Sequence, residues 1–90
     1  MDRKQIEEFF LNFEEPILFA DGFDEAIIGV ARQFNTYCVA YDREKCIEIL
    51  MEDMNFDDAE EYFEFNVVGA YVGPSTPTFI IKELGERKFQ

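Results

Sequence analysis

The sequence predicts an α+β domain, in which a small, mainly antiparallel sheet of three to four strands is covered by about three helices. Helical and strand patterns lie in separate runs along the chain instead of alternating strictly, and this segregation is typical of α+β folds. The 90 residues suit a single domain, 1–90. Apolar residues make up 48% of them, and 11 Phe with 4 Tyr supply a large buried area for so small a core.

The first element is a helix predicted over residues 3–13. Its apolar side chains recur at helical spacing and form one stripe. Asp2 can cap the start of this helix, and Pro16 ends it from beyond, because the residue before a proline is disfavoured in helical geometry. The stripe consists of Ile6, Phe9, Phe10 and Phe13.

Three strands are predicted next. The apolar run at 17–20 is interpreted as a strand that ends in a hairpin turn at Asp21-Gly22. Residues 24–34 fit either a helix or a strand, and the β-branched residues together with Gly29 favour the strand. Residues 36–41, TYCVAY, form the third strand of the prediction.

Asp42 is predicted to cap a second helix over residues 43–53. The last strand is predicted at 77–81. Residues 82–90 hold three of the eight basic residues of the chain, and we expect 83–90 to form a flexible tail.

Between the second helix and the last strand, residues 58–72 are predicted to form a third helix that is acidic at one end and apolar at the other. Asp57 is the expected N-cap, Glu60 would complete a capping box, and Gly73-Pro74 would end the helix. The apolar half is too broad for one packing face. A second face would therefore lie against other helices of the same chain or against a second subunit in a homodimer. That face consists of Phe65, Val68 and Val72.

Asn66 falls on the inner face of this predicted helix. An unpaired amide there would cost about 1–3 kcal/mol, so we expect it to be hydrogen-bonded to a strand end or to the loop at 73–77. A ligand contact or a role in dimer register are the alternatives.

The charge of the chain is strongly negative, with 20 acidic residues against 8 basic residues and a net charge of −12. Residues 42–64 alone hold ten acidic and two basic residues. Such a surface repels nucleic acids and anionic lipids, so a partner is expected to be a basic or an apolar protein surface. The candidate contact surface is Glu44, Glu48, Glu52, Asp57, Glu60, Glu61 and Glu64.

Few catalytic or metal-binding arrangements are compatible with the sequence. It has no histidine, so Cys38 and Cys46 have neither a base nor zinc-site spacing, and we expect both to be reduced thiols. The acidic residues could suit a divalent metal, but they lack EF-hand spacing. We therefore assign no catalytic residue, metal or cofactor. The alternative polar site, for a ligand or an unknown reaction, is Asp21, Asp24, Asn66 and Tyr71.

The amino-terminal segment MDRKQIEEFF is charged and unlike a signal peptide. No apolar run approaches the roughly 20 residues of a membrane span. The sequence therefore predicts a cytoplasmic protein.

Four segments in the order DGFDEAIIGV, AYDREKCIEILM, EEYFEFNVVGAYVG and TPTF resemble a group of small acidic proteins of tailed bacteriophages and some bacteria. The resemblance covers residues 17–80. It implies a phage-type accessory protein in a bacterial host cytoplasm, and it implies no catalytic residues, because no activity is established for the group.

Together these features favour a non-enzymatic binding protein that acts stoichiometrically through its acidic 42–64 surface. Nucleic-acid mimicry against a basic host protein is one form of that function. The alternatives are a structural homodimer built on the 58–72 helix and a small ligand-binding protein or enzyme.

Overall fold

A computed structural model of the chain describes residues 1–14 and 16–83. The predicted α+β fold is confirmed, and the predicted tail lies outside the described residues except for its first residue. The described elements are helix α1 (Arg3–Phe9), strand β1 (Ile27–Gln33), strand β2 (Thr36–Asp42), helix α2 (Arg43–Leu50), helix α3 (Phe56–Tyr62) and strand β3 (Thr78–Ile80).

The sheet of the described residues has the order β1-β2-β3. β1 and β2 are antiparallel, with Val30 opposite Val39, whereas β2 and β3 are parallel, with Tyr41 opposite Phe79. β2 is therefore the central strand, which explains why Val39 and Tyr41 are completely buried. The helices α2 and α3 form the crossover that a parallel pair of strands requires.

The ambiguous segment 24–34 is mostly a strand, as the favoured interpretation predicts. Residues Asp24–Ala26 form a short 3₁₀ turn, and β1 follows directly. A two-residue turn at Phe34-Asn35 joins β1 to β2. Phe34 has a φ of 55°, the sign that a two-residue hairpin turn requires at its first position.

The predicted strand at 17–20 is wrong. Residues 16–20 pair with no strand of the described sheet, and the N–H of Ala20 donates instead to the Tyr41 hydroxyl at 2.7 Å. The segment packs Ile17 and Phe19 against the core and leaves the outer edge of β1 unpaired within residues 1–14 and 16–83. The turn at Asp21-Gly22 exists, with a φ of 93° at Gly22, but it leads into the 3₁₀ turn and not into a hairpin.

Helices α1 and α2 begin as predicted and end early. Asp2 accepts the Gln5 N–H at 2.9 Å in a capping box, and Asp42 accepts the Lys45 N–H at 3.3 Å. α1 ends at Phe9 instead of residue 13, and α2 ends at Leu50 instead of residue 53. Beyond both ends the backbone forms tighter bonds between residues three apart, as often happens in the last turn of a helix.

The predicted N-cap of the third helix is also wrong. Asn55 is the cap, because its extended backbone lets its side-chain oxygen accept the Asp58 N–H at 2.8 Å. Asp57 already lies inside the helix, so the predicted capping box with Glu60 does not form. The helical path ends at Val68 instead of residue 72, through a π-helical stretch, Phe63–Val68, called here the π segment.

The core lies between the sheet and the helices, and aromatic rings dominate its centre. The buried Phe63 ring packs edge-on against Phe23 and Phe79, with centroid distances of 6.5 and 5.0 Å. Phe10 and Phe13 contact Tyr37 at the α1 end of the core. The buried cluster comprises Ile6, Phe10, Phe23, Ala26, Val39, Tyr41, Cys46, Ile47, Ala59 and Phe63.

The corrected cap can be tested by substitution. We expect Asn55→Ala to lower the free energy of unfolding by about 1 kcal/mol, because it removes the N-cap acceptor of α3. Asp57→Ala leaves that cap in place and should cost less. Urea unfolding of the two variants measures the difference, and a larger loss for Asp57→Ala would contradict the assignment.

Candidate functional site

Five of the seven predicted acidic contact residues line one groove of about 640 Å³. α2 contributes the first of them, α3 the next three and the π segment the last. These residues are Glu44, Asp57, Glu60, Glu61 and Glu64. The groove is completed by Arg43, Phe65, Ile81 and Glu83, and we call it the acidic groove.

Among the described residues the electrostatics of the acidic groove are unbalanced, since six carboxylates face one guanidinium. Arg43 places Nη2 at 3.4 Å from Glu60 Oε2 and at 3.4 Å from Glu64 Oε2. Its guanidinium also lies 5.7 Å from the centre of the Phe63 ring. Because the Arg43 side chain is only 17% exposed, these contacts hold the start of α2 against α3 and the π segment.

The remaining carboxylates have no comparable neutralisation. Asp57 and Glu61 are exposed and make no ion pair within residues 1–14 and 16–83. Glu44 has one buried side-chain oxygen with no hydrogen-bond partner in the same part of the chain. Repulsion between like charges one helical turn apart costs a few tenths of a kcal/mol per pair, so these carboxylates lower the stability of the folded protein.

The other two predicted acidic residues lie elsewhere. Glu48 is 3.8 Å from Lys45 Nζ on the exposed side of α2. Glu52 lines a second cavity of about 560 Å³, bounded by the 18–23 segment, the end of α2 and the π segment. Helical spacing places them on one stripe with Glu44, but of the three only Glu44 lines the acidic groove.

The π segment determines how the apolar half of the third helix is displayed. Its wider turn is marked by the N–H of Gly69, which donates to the carbonyl of Glu64, five residues earlier, at 3.2 Å. Phe65, Val68 and Val72 are 75%, 42% and 67% exposed. They do not share one face: Phe65 lies in the acidic groove, Val68 in a neighbouring pocket and Val72 at the 560 Å³ cavity.

The predicted buried position of Asn66 is wrong. Asn66 is exposed at the 560 Å³ cavity, and its amide makes no hydrogen bond to the described part of the chain. An α-helical path would align Asn66 with the buried Ala59, two turns earlier, but the extra residue in each π turn rotates it away. Val67 packs against the core instead.

The four residues of the alternative polar site are not brought together. Asp21 and Asn66 border the 560 Å³ cavity, whereas Tyr71 lines the neighbouring pocket with Val68. Asp24 is 3.4 Å from Arg3 Nη1, which also contacts Asp21 at 3.5 Å. The arrangement therefore gives no cluster of these side chains for acid–base chemistry.

An ion pair fixes the end of the sheet beside the acidic groove. Lys82 Nζ lies 2.8 Å from Asp42 Oδ2 and ties the chain after β3 to the cap of α2. Partial burial acts to raise the pKa of Asp42, but hydrogen bonds from Lys82 and from the Lys45 N–H together hold that pKa below its usual value. Asp42 is therefore ionised when it caps α2 at neutral pH.

Both cysteines are free thiols. Cys46 is buried in α2, and burial raises the pKa of its thiol to about 12. Burial also raises the pKa of Cys38, on β2. Neither thiol is activated as a nucleophile, since activation requires a lowered pKa.

Neither a metal-binding cluster nor a membrane-spanning helix is found in residues 1–14 and 16–83. No group of three or more Cys, Asp or Glu side chains there is arranged to hold a metal ion. The helices in this range are all too short or too polar to cross a membrane.

Comparison of the chain with protein-family models, curated proteins and solved structures found no significant match.

The π segment predicts an unusual effect at Gly69. A Cβ atom there would lie 2.9 Å from the Phe65 carbonyl oxygen. We expect Gly69→Ala to destabilise the protein by about 1–3 kcal/mol, although alanine normally favours a helix by about 1 kcal/mol. Gly29→Ala is the control, because a Cβ at Gly29 meets nothing within 4 Å. Thermal unfolding measures the stability of both variants. A Gly69→Ala variant more stable than Gly29→Ala would contradict the π geometry.

The cysteine environments predict selective alkylation. At pH 8 we expect iodoacetamide to modify Cys38, which is partly exposed, well before Cys46, which is buried and whose thiol has a pKa of about 12. In urea the two rates should become similar, because the unfolded chain removes the burial. Peptide mass spectrometry measures both rates, and equal labelling in the folded state would contradict the described core.

Proposed function

We propose that this protein is a non-enzymatic binding protein that captures a basic segment of another protein in its acidic groove. The observation that carries the proposal is the lining of that groove by the described residues: six carboxylates and the exposed ring of Phe65 surround one guanidinium. Carboxylates select lysine and arginine, and an exposed aromatic ring provides a contact that a cation or an apolar side chain can use.

The ion pairs of the groove indicate which residues meet the partner. Arg43 already contacts Glu60 and Glu64, and it holds them in place as the wall of the groove. An incoming basic side chain would be met by Asp57 and Glu61, which are exposed on the same helix. The proposed role of Glu60 and Glu64 is thus partly structural.

We place this function in a phage-type context because of the sequence resemblance described above. A row of carboxylates along a helix can stand in for the phosphates of a nucleic acid, so a basic nucleic-acid-binding groove of a bacterial protein is the partner class that we favour. Binding would then be stoichiometric and competitive with nucleic acid.

A homodimer built on the 58–72 segment is the second candidate, and the exposure of Phe65 favours it. The surroundings of Phe65 are unfavourable for that candidate, since two copies meeting there would bring two sets of six carboxylates together. Repulsion between them would oppose the apolar gain. A basic partner covers the same ring without that cost.

The proposal is tested by a matched pair of double variants. Asp57→Lys with Glu61→Lys alters the groove and leaves the contacts of Arg43 intact. Glu48→Lys with Glu52→Lys changes the net charge equally outside the groove. Each protein is immobilised and exposed to bacterial lysate. We expect the wild type and the control pair to retain the same basic protein at low salt, and the groove pair to lose it.

Retention should weaken as salt rises, because the contact is between opposite charges at an exposed surface. Added duplex DNA should displace the protein if the partner's nucleic-acid groove is occupied. Equal retention by the two double variants, with both folded by circular dichroism, would contradict the proposed groove.

A further inference from the structure

Strand β1 has an unpaired edge. In the sheet of the described residues it pairs with β2 on one side and with no strand on the other. In an antiparallel ladder alternate residues direct their N–H and C=O groups to opposite sides. The two-residue turn makes Gln33 and Thr36 the hydrogen-bonded closing pair, so the groups of Val30 and Arg32 point to the free side.

The hairpin that carries this edge differs in charge from the rest of the molecule. Arg32 is the only charged residue between Glu25 and Asp42, in a chain of net charge −12. Long apolar edge strands invite pairing with another strand, and proteins commonly block them with charged side chains. Here Ile28 is 47% exposed at a β-bulge and Arg32 is the one charged residue of the strand, so the edge is only partly blocked.

The surface beside the free edge is apolar too. A groove of about 600 Å³ runs between α1 and β1 and is lined by Met1, Gln5, Ile6, Phe9, Phe10, Val30, Arg32 and Tyr37. No carboxylate of residues 1–14 and 16–83 lines it, in contrast to the acidic groove. Phe9, at its rim, is 68% exposed. The edge and this groove together form an apolar area that a partner strand and its flanking side chains could cover.

We propose that a second copy of this chain pairs with it, β1 to β1 and antiparallel, to form one continuous six-stranded sheet about a two-fold axis. A strand that pairs antiparallel with itself is automatically self-complementary, as a two-fold interface requires. The outward N–H and C=O groups of Val30 and Arg32 in one copy would form hydrogen bonds with those of the same two residues in the other copy.

The self-complementary pairing of β1 fits a second copy of the chain, and the charge distribution makes β1 the place where that copy can approach. Two chains of net charge −12 repel each other over most of their surfaces, and the hairpin is the region where they can approach closely. β3 is a poorer edge, because it has only three residues and is followed by Ile81 and Glu83 of the acidic groove.

The pairing would leave the proposed function intact and make it bivalent. β1 and β3 lie at opposite edges of the sheet, so the acidic groove beside β3 is not used in the β1 contact. Two grooves in one dimer could bind two basic segments of one assembly with increased avidity.

The experiment measures the oligomeric state of the full chain by sedimentation velocity across a range of concentration and salt. We expect a dimer that strengthens as salt rises, because salt screens the repulsion between the copies. The groove complex with a basic partner should weaken under the same change, so the two proposals fail independently. A wild-type protein that is monomeric at submillimolar concentration and high salt would overturn the dimer.

Substitutions locate the interface. Arg32→Pro removes an outward N–H that the monomer does not use, and it should raise the dimer dissociation constant by about tenfold. Ile28→Glu adds an acidic residue to the edge and should act in the same direction. Ile81→Glu is the matched control, because Ile81 is similarly exposed (42%) but lies outside β1. Equal weakening by Ile81→Glu would overturn the β1 interface.

Amide hydrogen exchange of the wild type provides a test that requires no variant. The N–H groups of Val30 and Arg32 should become protected as concentration rises. Those of Ala31 and Gln33, which bond to β2, should be protected at every concentration. A dimer in which Val30 and Arg32 still exchange as in the monomer would have its interface elsewhere, and the proposal would be wrong.

Discussion

The buried ring of Phe63 is the contact on which the rest of this structure depends. It touches Phe23 from the turn before β1 and Phe79 from β3, and it lies beneath the guanidinium of Arg43. One side chain therefore connects the hairpin region, the last strand and the start of α2. Edge-on aromatic contacts add about 0.5–1.5 kcal/mol each beyond the area they bury, which matters in a domain of 90 residues.

The same ring also constrains the acidic groove. Phe63 begins the π segment, so its burial holds the point at which the helix widens and Phe65 turns outward. Arg43, placed over the ring, draws Glu60 and Glu64 together despite their like charges. The groove is thus a consequence of core packing: a buried aromatic ring positions a cation, and the cation positions two carboxylates.

Charge is distributed very unevenly over this fold. Acidic residues are concentrated on α2, α3 and the π segment, whereas the β1–β2 hairpin between Glu25 and Asp42 carries only Arg32. One edge of the sheet consequently has a single charged residue, and the opposite edge lies beside the acidic groove. The proposed pairing of two copies would use the β1 edge, and the proposed binding of a basic segment would use the acidic groove beside β3.

Local patterns in the sequence were sufficient for the fold class, the caps at Asp2 and Asp42, and the strands β2 and β3. Each depends on neighbouring residues: a short polar side chain before a helix, or an uncharged run bounded by turns. The clustering of acidic residues was equally visible, because a count of charges needs no coordinates. The count of charges could not show that Glu48 and Glu52 lie outside the acidic groove. Helical spacing defines which residues share a stripe, but it does not define which part of the molecule lies opposite that stripe.

Only the tertiary structure decided the features that depend on distant residues. The segment at 17–20 is apolar enough for a strand, but its side chains pack against the core and the Ala20 N–H donates to the distant Tyr41 hydroxyl. Asn66 and Phe65 point outward because the helix widens into π turns from the buried Phe63 onward. No local sequence pattern marks this change in helix geometry. The sequence by itself determined composition, charge and most helix starts, which are local properties. Pairing partners, helix ends and the contents of the groove are set by competition for a limited core.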